Sequence, residues 1–121
     1  MKPQIKQKWL DALRSGEYEQ CESNLHKNGG FCCLGVLTDL YIQEHSDCSW
    51  KEYESNDKQL YYSFVGIKIE YSYLPDEVVE WADLSSENPR VVSDRVWTHL
   101  SDLNDCGFNF EKIANLIEGQ L

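Results

Sequence analysis

The chain has 121 residues and a mass of 14.1 kDa, with 21 Asp and Glu against 11 Lys and Arg, for a formal net charge of -10. At 41% hydrophobic and 12% aromatic it is too apolar for a disordered acidic tail, and its length suits one domain around a single core. The acidic balance argues against direct nucleic-acid binding, because neutralisation of phosphate by Lys and Arg supplies most of that affinity.

Residues 1 to 8 mix charged and polar groups, so no signal peptide is read. The longest apolar stretch, residues 31 to 42, is interrupted by Gly35, Thr38 and Asp39 and falls well short of the roughly 20 residues a membrane span needs. A cytoplasmic protein without membrane contact is the expectation. The five cysteines, an odd number with Cys32 and Cys33 adjacent, read as reduced thiols.

In chain order, Pro3 suits a first helical position, Ile5, Trp9 and Leu13 recur every four residues, and Gly16 supplies a left-handed stop, predicting a helix over 3 to 15. Residues 17 to 21 read as a short strand, and residues 23 to 30 as a polar loop ending in the turn signal Asn28-Gly29-Gly30. Cys33, Val36, Leu37, Leu40 and Tyr41 then form one apolar face, so a central helix is expected over 32 to 45. Residues 46 to 58 read as a polar loop anchored by Trp50 and Tyr53. From residue 60 to 73 the apolar period falls to two, which predicts two antiparallel strands broken by a turn or bulge at Gly66.

Pro75 opens a short helix over 76 to 84, with Asp76 and Glu77 in the first turn, where the helix dipole favours anions. Residues 90 to 92 and 95 to 97 read as very short strands about Ser93-Asp94. Thr98 is placed as the cap of a helix ending near residue 105, Gly107 as its stop, and Asn109 as the cap of a final helix over 110 to 119 stapled by Phe108 and Ile113. The fold class is therefore α+β: a single small domain, residues 1 to 121, of about five short helices packed on a small antiparallel sheet and ending in a helical hairpin. Expected core positions are Trp9, Leu13, Val36, Leu37, Leu40, Ile69, Val78, Trp81, Leu100, Leu103, Ile113 and Ile117.

The strings KWLDALRSGEYEQ, GGFCCLGVLTDLY, YLPDEVVEWADL, NPRV and LNDCGFNFEKIANLIEGQL cover most of the chain. Together they resemble a family of small uncharacterised proteins found in bacteriophages, prophages and bacterial genomes. The resemblance implies a bacterial or phage-infected cytoplasm and a host-directed accessory role, and carries no catalytic residues with it.

Cys32 follows Gly29-Gly30-Phe31 at the start of a predicted helix, where the dipole lowers a thiol's pKa; His26, His45 and His99 are the candidate bases, His26 the nearest in sequence, and none has a spacing that predicts contact with Cys32. Cys21, His26, Cys32, Cys33 and Cys48 offer soft metal ligands, but without the paired spacing of a zinc module, so neither metal nor cofactor is expected. The terminal hairpin has the outline of a helix-turn-helix, yet residues 95 to 121 carry net -2, which leaves it a packing element.

Charge position says more than total charge. Residues 1 to 41 are neutral, whereas residues 70 to 94 carry -6, from Glu70, Asp76, Glu77, Glu80, Asp83, Glu87 and Asp94 against Arg90 alone. Such a field steers a basic partner. The expected function is accordingly a non-enzymatic accessory protein that associates with a basic protein through Glu70, Asp76, Glu77, Glu80, Asp83 and Glu87, beside exposed tyrosines. The alternative is a small cysteine-dependent hydrolase or transferase using Cys32. Oligomeric state does not follow from the residues.

Overall fold

A computed structural model describes residues 1–52, 59–64 and 68–121. Helix α1 (Pro3–Arg14) begins at its proline and turns Ile5, Trp9, Leu10 and Leu13 into the core. It ends where Ser15 N–H bonds the Ala12 carbonyl and Gly16 takes a φ of 77°. The strand expected over 17 to 21 is reduced to a single parallel bridge from Gln20 to Phe31.

Asn28 and Gly29, with φ of 52° and 81°, close a two-residue hairpin between β1 (His26–Lys27) and β2 (Gly30–Phe31). Positive φ at both turn positions matches the right-handed twist of the flanking strands. Helix α2 (Cys33–Glu44) follows, and it is buried nearly all round. Leu34, Gly35 and Thr38 are covered along with the expected Cys33, Val36, Leu37 and Tyr41, and the Thr38 hydroxyl is satisfied by the Leu34 carbonyl at 2.9 Å.

The loop expected over 46 to 58 is corrected in its first half: Cys48–Glu52 is strand β3, antiparallel to β4 (Gln59–Phe64), with Trp50 opposite Tyr62. A polar-looking pentapeptide becomes a strand here because β4 supplies the pairing partner. Tyr53 and Gly66 lie outside the described residues. Strand β5 (Lys68–Glu70) pairs with β4 at Tyr62↔Glu70, so the two antiparallel strands expected over 60 to 73 are present. The second is shorter than read, because residues 71 to 73 bend away and the Tyr71 carbonyl accepts Leu25 N–H at 2.7 Å. Sheet order is β2-β1-β4-β3, with β5 also on β4.

Helix α3 (Asp76–Ala82) stops earlier than read, because Asp83 adopts φ 55° and its N–H turns back to the Glu80 and Val79 carbonyls. Strands β6 (Arg90–Ser93) and β7 (Val96–His99) form a separate hairpin about Asp94-Arg95. Thr98 does not cap the next helix: it stays extended in β7, opposite Val91, and its hydroxyl donates to the Val96 carbonyl at 3.2 Å. Helix α4 (Leu100–Asp105) starts after His99 instead.

The end of α4 is a Schellman turn. Phe108 N–H reaches the Leu103 carbonyl and Gly107 N–H the Asn104 carbonyl, with Gly107 at φ 95°. Asn109 then caps α5 (Phe110–Gln120) by accepting Lys112 N–H at 2.9 Å, as its position predicts. Of the expected core, Trp9, Leu13, Val36, Leu37, Val78, Leu100, Leu103, Ile113 and Ile117 are buried; Leu40 and Trp81 are half-buried, and the Ile69 side chain is outside what is described. The indole of Trp9 donates to the Cys33 carbonyl at 3.0 Å, which locks α1 across α2. Among the described residues no helix is long and apolar enough to cross a membrane.

Candidate functional site

The carboxylates between residues 70 and 87 do not form one uniform face. Val78 and Ala82 anchor α3 in the core, which leaves Asp76, Glu80 and Asp83, spaced four and then three residues apart, on the exposed side. Glu87 is exposed in the following loop, where its carbonyl accepts Leu74 N–H at 3.0 Å. Glu77 faces the other way. It is half-buried and accepts the Tyr62 hydroxyl at 3.1 Å, and Glu70 stands opposite Tyr62 in the β4–β5 ladder. Burial, followed by the nearby Glu77 carboxylate, raises the Tyr62 phenol well above the ordinary tyrosine range and keeps it a hydrogen-bond donor. Among the described residues the salt bridges join Lys8 to Glu44, Arg14 to Glu111 and Glu118, and His99 to Asp102; none engages Glu80, Asp83 or Glu87. Tyr73 is the exposed tyrosine among them; Tyr61 and Tyr71 are half-buried, with ring centroids 5.6 Å apart.

Cys32 occupies the N-cap of α2, as its sequence position suggests, but its sulfur is turned inward, accepting Gly35 N–H at 3.4 Å. Burial pushes the thiol up to about 12, so it carries almost no thiolate at neutral pH. His26 is engaged elsewhere: its Nδ1 donates to the Gly30 carbonyl at 2.7 Å, and its ring stacks on Phe31 at 3.8 Å between centroids. Cys33 and Cys48 are buried, Cys21 is half-buried, and Cys106 is exposed; all five are free thiols. Among the described residues no three His, Cys, Asp or Glu side chains are grouped to hold a metal ion.

Two polar hubs went unread in the sequence. Asn104, fully buried on α4, uses every hydrogen-bonding position it has. Its Oδ1 accepts Cys33 N–H at 3.1 Å and Gln20 Nε2 at 2.8 Å, while its Nδ2 donates to the Cys21 carbonyl at 2.8 Å and to Asp105 at 3.2 Å. The start of α2 and the segment at residues 20 and 21 are thus tied to α4 through one amide. Asp39 is the second hub, accepting the Tyr18 hydroxyl at 2.7 Å, the Trp50 indole at 3.0 Å and the Gln43 amide at 2.8 Å. Tyr18 and Trp50 in turn meet Phe31 edge-on, which extends the His26–Phe31 stack into a half-buried aromatic cluster at the β1–β2 hairpin. The only advance signal for either hub was a polar residue on an otherwise apolar helix face.

A family model described as a domain of unknown function (DUF8296) matches residues 1–121. No curated protein and no solved structure matches the chain.

Proposed function

The chain belongs to this family of domains of unknown function, and we propose that it is a non-enzymatic accessory protein, of phage or prophage type and working in the bacterial cytoplasm, that docks a basic protein partner on the carboxylate face of α3. The observation that carries this reading is the stripe of Asp76, Glu80 and Asp83 on the outer side of a core-anchored helix, continued by Glu87. A fixed row of like charges raises encounter rates with a partner of opposite charge and suppresses wrong ones. Each exposed pair contributes about 0.2–1 kcal/mol, so the face supplies steering and register while apolar contacts beside it supply most of the affinity. The inward-turned Cys32 supports the same reading, because a nucleophile held at a pKa of about 12 is poorly suited to hydrolysis.

The test compares the wild-type chain with a Glu80→Lys, Asp83→Asn, Glu87→Lys variant, shown by circular dichroism to be folded, in pull-downs from bacterial lysate at low and high salt. Asparagine is chosen at 83 because the left-handed conformation there suits it. Partners that are captured at low salt and lost both at high salt and with the variant are expected. An unchanged set of partners would overturn the role given to α3.

A further inference from the structure

Three apolar side chains stand in solvent on one small element: Val92 is 44%, Val96 59% and Trp97 61% exposed, all on the β6–β7 hairpin. The hairpin turns on Asp94 and Arg95, at φ 49° and 68°, and Ser93 faces Val96 across the turn. In a two-residue hairpin the flanking pair is hydrogen-bonded and the next pair is not, so the main chains of Val92 and Trp97 point outward, one on each edge. On the β6 edge that requirement is met: Gln120 accepts Val92 N–H at 2.6 Å and donates to the Val92 carbonyl at 2.9 Å, so a side-chain amide stands in for a third strand. On the β7 edge, among the described residues, no group bonds the N–H or carbonyl of Trp97, and β6 is the only strand that pairs with β7.

Chemistry on the outer face of the hairpin narrows what fits there. Arg90 and His99 are directly opposed, as are Val92 and Trp97, so these four side chains share a face. Arg90 Nε donates to His99 Nε2 at 3.0 Å, which carries the guanidinium across to the β7 row. Its terminal nitrogens make no hydrogen bond or ion pair among the described residues, in a chain where acids outnumber bases almost two to one. Arg90 borders a cleft of about 370 Å3 lined also by Trp97, His99, Gln120 and Leu121. A planar donor fork left open beside an indole suits a carboxylate next to an apolar side chain.

We infer that the β7 edge accepts an extended segment of a partner protein as a third strand, with an apolar side chain set against Trp97 and, two residues along on the same face, a carboxylate set against Arg90. The segment bonds the Trp97 N–H and carbonyl and the His99 N–H, the main-chain groups that alternation turns outward. This site lies on the β6–β7 hairpin and not on α3, and its test changes Arg90 alone, so it stands or falls apart from the α3 reading.

The test is an NMR titration of the full chain, up to millimolar peptide, with the blocked heptapeptide Thr-Thr-Val-Thr-Glu-Thr-Thr and with its Glu-to-Gln counterpart. The glutamate peptide is expected to slow amide hydrogen exchange at Trp97 and His99 and to bind about fivefold more tightly than the glutamine peptide. Arg90→Gln, a surface change, is expected to erase that difference while leaving the exchange protection in place. Absence of binding, protection at other residues, or equal affinity of the two peptides would overturn the inference. So would a concentration-dependent dimer in which Trp97 is protected without peptide, since the edge would then belong to a second copy of the chain.

Discussion

Gly35→Ala separates two opposing effects at one atom. In an exposed helix the change is stabilising by about 1 kcal/mol, because glycine has more backbone freedom to lose on folding. Here α2 lies directly on Leu25: a Cβ at residue 35 would fall 2.7 Å from the Leu25 carbonyl carbon and closer still to its oxygen. That backbone cannot easily yield. The Leu25 carbonyl accepts Cys32 N–H at 3.2 Å, its N–H is held by the Tyr71 carbonyl at 2.7 Å, and its side chain is fully buried. Overpacking of this kind costs about 1–3 kcal/mol, and breaking the Cys32–Leu25 bond in the interior adds about 1–3 kcal/mol. Set against the propensity gain, the net expected loss is about 1–5 kcal/mol, a sizeable part of the roughly 5–15 kcal/mol a domain of this size has. Urea unfolding reads it directly, as a midpoint lower by about 0.5–5 M at a slope of about 1–2 kcal/mol/M. Gly119→Ala is the control, since nothing lies within 4 Å of its Cβ position on α5, and a small gain is expected there. A Gly35→Ala midpoint at or above that of the wild type would refute the close packing of α2 on Leu25.

Asn104→Leu keeps the branched shape but abandons four hydrogen bonds and leaves the buried Cys33 N–H without an acceptor, so a loss of about 2–4 kcal/mol is expected by urea unfolding. Stability should also fall at alkaline pH. Cys32 is raised from 9.0 to about 12 and Cys33 well above 9.0, both chiefly by burial, so the folded chain keeps protons that the unfolded chain gives up. Their contribution is complete below pH 9 and declines from pH 9 towards 12, by about 1.4 kcal/mol per pH unit for each thiol. Urea midpoints measured under reducing conditions at pH 8, 9, 10 and 11 should therefore drop with increasing steepness, and a flat profile would contradict the burial of these thiols.

Helices were legible where an apolar stripe coincided with a local stop. Ile5, Trp9 and Leu13 defined α1, and Asn109 with Ile113 and Ile117 defined α5, because caps and stripes act within a turn or two of chain. Strands of two residues offer no period at all. The Asn28-Gly29 turn was visible, but β1 is a strand because β4, some thirty residues on, pairs with it at Leu60 and Gln59. The same dependence on a distant partner hid β3, whose Lys51 and Glu52 read as loop until Tyr61 and Leu60 stand opposite them. Tertiary pairing decides such segments, and no local window contains it.

The candidate site divides along the same line. Charge position named Asp76, Glu80 and Asp83 together with Glu77, and α3, anchored by Val78 and Ala82, exposes the first three; nothing local showed that Tyr62 would draw Glu77 inward. Cys32 makes the point in energies. Its place at the start of a helix was read correctly, and a dipole contributes about 0.3–1 kcal/mol towards the thiolate, up to about 2 in partly buried sites. The rise from 9.0 to about 12 amounts to about 4 kcal/mol the other way, from burial beneath elements remote in sequence. A position on a helix therefore names a residue's best possible reactivity, and the surrounding packing decides whether any of it is left; at Cys32 the packing wins.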